Sequence, residues 1–192
     1  MHVFSVVKLT RKLLLILALC WSVPAFAETF QVKHADVRKV GNGHILNASI
    51  RYPLTPRVVE ALEHGVPITF FQEIQLINEI PVLGPLWQWN RKVWRTELVY
   101  ELRFHQLSRQ YVLTAVSTQK FQTFPTIEDA LASMGRINAL TLPPEILLKH
   151  NQLQLRLRSG LDLHVLPTPM RPGALLSNKW QLTSPWTEAV WY

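Results

Sequence analysis

From Val93 to His105 the chain reads "VWRTELVYELRFH". Trp94, Leu98, Tyr100, Leu102 and Phe104 hold one parity, while Arg95, Glu97, Glu101, Arg103 and His105 hold the other. Side chains of a strand alternate between its two faces, so this spacing predicts a strand with one face in the core and one in water. "ITFFQEIQLINEI" follows the same rule, with Phe70, Ile74, Leu76 and Ile80 set against Glu73, Gln75 and Glu79, and predicts a second strand buried on one face. Strict alternation returns in "QLQLRLRSGLDLHV" through Leu153, Leu155 and Leu157.

Near the start, "TFQVKHADVRKV" and "HILNASIRYPL" flank Gly41-Asn42-Gly43 and predict a β-hairpin, with Phe30, Val32, Val37 and Val40 as the apolar positions of its first strand. Three short helical patterns follow. Thr55-Pro56 opens one that carries Val58, Val59 and Leu62 and closes at Gly65, with Thr55 as its N-cap. Thr126 and Asp129 stand in capping-box spacing ahead of a second that ends at Gly135. A third begins at Pro143-Pro144. "LSRQ" is a polar turn, and "YVLTAVSTQKFQTF" supplies one or two further strands. The proline-broken "LPTPMRPGALL" reads as a rigid crossover or an extended ligand for a partner, and leads to a last strand around "KWQLTS". Short alternating strands with a few short helices predict a mainly β (α+β) fold: an antiparallel β-sandwich-like domain with two or three short peripheral helices. No linker, fixed repeat or low-complexity segment divides residues 28–192, which are expected to form a single β-rich domain.

The first 27 residues follow a different logic. Lys8, Arg11 and Lys12 precede an apolar run from Leu13 to Trp21, then Pro24 and the small-x-small triplet Ala25-Phe26-Ala27. That order predicts a secretory signal peptide over residues 1–27, cleaved after Ala27, and a periplasmic protein. The alternative is an uncleaved inner-membrane anchor, for which the run is short against the roughly 20 residues a spanning helix needs. Cys20 is a poor lipidation site, since Leu19 fills the place of the small residue such signals want before the cysteine. Cleavage removes that one cysteine, so the exported chain holds its fold by its core rather than by disulfides.

Removal of the leader also changes the charge. The formal net charge of +7 includes Lys8, Arg11 and Lys12, and falls to +4 without them. The remaining cations are scattered, which argues against nucleic acid as a partner and leaves an anionic membrane surface as a candidate. Six histidines lie outside the leader, His34, His44, His64, His105, His150 and His164, in no metal-binding spacing. There is no H-E-x-x-H, glycine-rich phosphate loop or G-x-S-x-G elbow, so no catalytic residue, metal or cofactor is expected from motif. Glu101, Arg103 and His105 share one strand face and read as a solvated row with cross-strand ion pairs.

The candidate contact residues come from aromatic and cationic neighbours. "LWQWNRKVW" holds Trp87 and Trp89 beside Arg91 and Lys92, with "NRK" reading as a turn that breaks the parity. Both rings either pack into the core or form an exposed lip suited to a membrane interface or a protein partner. Met170 and Arg171 of the proline segment are the second candidate set. In order, "LRFHQLSRQY", "TIEDAL", "LDLHVLPTPMRP" and "WQLTSPW" resemble an exported proteobacterial family of unknown function. Members carry a signal or N-terminal anchor, and their genes often lie beside a nitrogen-regulation-type membrane sensor kinase. The resemblance implies export and envelope signalling, with an envelope or membrane sensor protein as partner, and supplies no reaction. The expectation is a non-enzymatic binding or regulatory module of the envelope. A periplasmic hydrolase assembled from distant residues is the alternative, and a lipid or glycan binder the third reading.

Overall fold

The computed structural model describes residues 29–81, 88–150 and 152–192, so the expected signal peptide and Trp87 lie outside the described residues. Two sheets face each other. The smaller has strand order β10-β1-β2-β7, built from Val190–Trp191, Gln31–Val40, Gly43–Arg51 and Arg136–Thr141. The larger has order β6-β5-β4-β3-β8-β9, built from Lys120–Phe124, Gln110–Ala115, Gln88–His105, Ile68–Pro81, Leu153–Leu161 and Thr187–Glu188. All neighbours are antiparallel except β1 with β10. Their inner faces share one hydrophobic cluster, in which Phe30 stacks on Phe70 at 6.0 Å and Tyr52 meets both rings edge-on. This is the expected sandwich.

The helices among the described residues are α1 (Pro56–Glu63), α2 (Ile127–Met134), α3 (Pro144–Lys149) and α4 (Arg171–Leu176), one more than the three helical patterns of these segments. The addition is α4, inside the proline segment, where Pro172 occupies the first turn that tolerates it. In α2 the Thr126 hydroxyl accepts from the Asp129 amide as the spacing implied. Gly135 follows for another reason than expected. Its φ is right-handed, but a Cβ there would meet the Ile50 carbonyl at 2.2 Å, where Ile50 N–H bonds to Gly135 O. Thr55 precedes α1 but caps nothing with its side chain, because its hydroxyl donates to Lys179 O at 2.8 Å instead.

Three expectations need correction. A bulge at Lys33, between the pairs Val32–Ile50 and His34–Ser49, moves the buried positions of β1 to Ala35 and Val37 and turns Val40 out to solvent. "NRK" is strand and not turn: β4 is continuous, and its phase changes at a second bulge, where Trp94 pairs with Leu76, Lys92 pairs with Ile77 and Val93 is left over. "KWQLTS" forms a turn and one isolated bridge from Thr183 to Gly160 rather than a strand. The segment beyond it is a strap across both sheets, pairing β9 with β8 and β10 with β1.

The inner parity of β4 stands as read. Leu102 is fully buried, Leu98, Tyr100 and Phe104 pack on the core, and Arg95, Glu97 and Arg103 are exposed. Leu102→Ala should therefore cost about 2–5 kcal/mol, and Glu97→Ala about 0.5 kcal/mol or less. Urea unfolding measures both, and equal losses would contradict the assignment of faces.

Candidate functional site

The described candidates fall at two ends of the large sheet. Pairing of β3 with β8 ends at Asn78–Leu153, with a last bond from Glu79 N–H to Gln152 O, yet β3 and β4 run on together through Ile80–Trp89 and Pro81–Gln88. This two-stranded arm extends past β8. Trp89 sits on it with 72% of its surface exposed, which overturns the core reading for that ring. Arg91 and Lys92 are exposed beside it. Strand alternation puts Trp89 and Arg91 on one side of the arm and Lys92 on the other. Met170 and Arg171 lie elsewhere. β8 exits towards them at Leu161, opposite Phe70, ten residues from Ile80 along β3 and so on the order of 33 Å away. The two candidate sets are not brought together.

At the Met170 end, α1, α4 and the turn through Lys179 and Trp180 frame an open cleft of about 780 Å³. Its floor includes the buried Ala174 and Trp180 and the half-buried Met170, and its rim carries Arg57, Glu60 and Lys179. A separate, smaller hollow of about 200 Å³ lies along α1 at Ala61, His64 and Val66, and shares Arg57, Glu60 and Met170 with the cleft. The hydroxyl of Thr55 on Lys179 O ties the two walls. Arg171 spends its Nε on Leu166 O at 2.6 Å, which steadies the loop entering α4. Of these cleft residues Met170 was legible in the sequence, whereas Lys179 and Trp180 read as part of the strand expected around "KWQLTS" and Arg57 as one of the scattered cations.

The outer face of the large sheet carries its own chemistry. Glu73 was expected in water but is only 3% exposed, so β3 is buried on both sides. Its carboxylate accepts from Gln75 at 2.6 Å, from Arg95 at 2.7 Å and from Arg158 at 2.8 and 2.9 Å. Arg95 also reaches Glu97 at 2.9 Å, joining two acidic side chains that face each other across the strands. Arg156 donates to Gln75, and Trp186 stacks on Arg156 and Arg158 at 4.5 and 4.6 Å. Burial opposes ionisation of Glu73. The hydrogen bonds from Gln75 and Arg158 and the charges of Arg158 and Arg95 outweigh it, and the pKa lies below the usual glutamate value. Asp36 on the small sheet behaves alike: burial raises its pKa, but bonds from Arg38 at 2.6 Å, His34 at 2.8 Å and Asn47 bring it below normal.

These ionised carboxylates are suited to structure rather than proton transfer. Ser49 is the cross-strand partner of His34, so hydroxyl, imidazole and carboxylate follow one another on the small sheet. No hydrogen bond joins Ser49 to His34, whose side chain is 57% exposed, and Arg38 holds the second Asp36 oxygen. His105 contacts the Ser108 hydroxyl at 3.0 Å within an exposed turn. Inside the sandwich, Gln72 donates to the Tyr52 hydroxyl and to Met134 O, and burial pushes the Tyr52 pKa up to about 12 despite its bonds with Ser159 and Gln72. Among the described residues no group of three His, Cys, Asp or Glu side chains is placed to hold a metal ion. Nor is any described helix long and apolar enough to cross a membrane.

A family model described as a domain of unknown function, DUF4390, matches residues 27–189, and the chain belongs to that family. No curated protein and no solved structure matches it.

The clamp on Glu73 has a pH signature. Its folded pKa lies below its unfolded value, so as pH falls the unfolded chain binds the proton first. The stabilisation is complete above about pH 5 and is lost as pH drops through the folded pKa. Glu73→Gln should lower stability at neutral pH, and its deficit should shrink as pH falls below about 5. Urea unfolding at a series of pH values measures this, and a deficit independent of pH would show that the clamp does not hold the ionised form.

Proposed function

We propose that this member of the DUF4390 family is an exported binding or regulatory module of the Gram-negative envelope. In this reading it works by contact, without chemistry of its own, and its partner is an envelope protein with an acidic surface, such as a membrane sensor. The observation that carries the reading is the β3–β4 arm. Exposing most of a tryptophan to water on a strand that extends beyond the sandwich has no use for the core, whereas an exposed ring beside a cation is the usual anchor of a protein contact. Arg91 shares its side of the arm and supplies the orienting charge. The N-terminal pattern of cations, apolar run and Ala25-Phe26-Ala27 supports export. The shifted carboxylates, both held ionised, support a role other than catalysis.

Two measurements test this. Protein recovered from periplasm should have the intact mass of a chain beginning at Glu28; a mass that retains residues 1–27 or carries lipid on Cys20 would overturn cleavage after Ala27. A photo-crosslinker at position 91 in living cells should capture one envelope protein, and Trp89→Ala should weaken that contact about 30-fold or more while changing stability by about 0.5 kcal/mol or less. Undiminished capture by the folded variant would remove Trp89 from the interface. Crosslinks to lipid alone would move the reading to a membrane surface.

A further inference from the structure

We propose that the cleft between α1 and α4 binds a single-chain amphiphile with an anionic headgroup. The site is independent of the β3–β4 arm. Its size lies within the roughly 300–1,000 Å³ of small-molecule sites, and a second, smaller hollow beside α1 shares Arg57, Glu60 and Met170 with it. Two adjoining hollows along one helix suit a linear ligand.

The walls decide which kind. An extended peptide binds best along the open backbone of a sheet edge, whereas this cleft is walled by the helices α1 and α4. An acyl chain makes no such demand, and Met170, Ala174 and Trp180 offer it an apolar floor. Charge sets the head. On the rim, Glu60 is engaged by Arg57 at 2.8 Å, and among the described residues no carboxylate forms a salt bridge with Lys179. One positive charge is thus left over at the mouth, complementary to a carboxylate or phosphate. The walls are also fixed in advance by the Thr55 bond to Lys179 O and by the Gln181 amide, which donates to Leu175 O at 2.8 Å. A preformed site loses little entropy when filled.

Gly173 makes the test clean. It lines the cleft, and a Cβ built on it meets nothing within 4 Å, so Gly173→Phe adds bulk at the cleft without a clash at Cβ. The exported chain is titrated calorimetrically with dodecanoate, dodecyl phosphate and dodecyltrimethylammonium, each below its micelle concentration. Saturable binding of the anions, about tenfold or more tighter than of the cation, is expected, and Lys179→Glu should weaken it about tenfold. Gly173→Phe should abolish it with an unchanged melting temperature, and Trp89→Ala should leave it intact. A preference between the two anions identifies the headgroup. Equal affinity for the cation, or full binding by folded Gly173→Phe, would overturn the proposal. Binding of an acidic peptide but of neither dodecyl anion would do the same.

Discussion

The structure depends on giving β3 a second cover. A two-layer sandwich buries one face of each sheet, yet β3 lies between β4 and β8 and is buried on both. The inner face is closed by the aromatic and aliphatic cluster around Phe30, Tyr52 and Phe70. The outer face is closed by charge: Glu73 is sealed by Arg95 and Arg158 from the two neighbouring strands, and Trp186 lies over Arg158 and the adjacent Arg156. A buried carboxylate is tolerable only when its lone pairs are filled, and here donors reach both oxygens. The arginine stems and the indole also cover apolar surface while the guanidinium groups keep contact with water. Glu73, the arginines and the C-terminal strap therefore stand or fall together.

What could be read in the sequence follows from the range of each interaction. Alternation in β4 and β8, the glycine turn after β1 and the Thr126 cap depend on neighbours within a few residues, and all were legible. Burial of Glu73 was not, since an acidic residue of polar parity reads as solvent-facing until its partners are known. A trace was present: "EIQ" in β3 and "RLR" in β8 are complementary alternating patterns, and they pair residue for residue, Glu73 with Arg158 and Gln75 with Arg156. The bulges in β1 and β4 were invisible because an inserted residue such as Val93 has ordinary strand character. The cleft was out of reach for another reason. Its walls come from residues 56–60 and 169–180, joined by a hydroxyl that had a perfectly good local use as a helix cap.

Two candidate surfaces thus occupy opposite ends of one stiff element. The arm is the free end of the β3–β4 pair, and the cleft lies near the start of β3, where Asp162 N–H bonds to Thr69 O and the loop towards α4 leaves the sheet. Between them runs a strand bonded on both sides for most of its length. Such a strand transmits position well and bends poorly, so occupancy at one end has no evident hinge through which to reshape the other.

The strap has a consequence for the order of assembly. β10 lies parallel to β1, and Asp36 pairs with Val190, so one of the first described strands gains its outer neighbour from one of the last. Contacts between such distant positions form late and slowly, because the loop they close must be ordered first. Until residues 187–191 arrive, β8 and β1 both present unpaired edges, and Trp186 cannot shelter the arginines over Glu73. Both sheets are therefore completed together, by one short stretch of chain at residues 187–191.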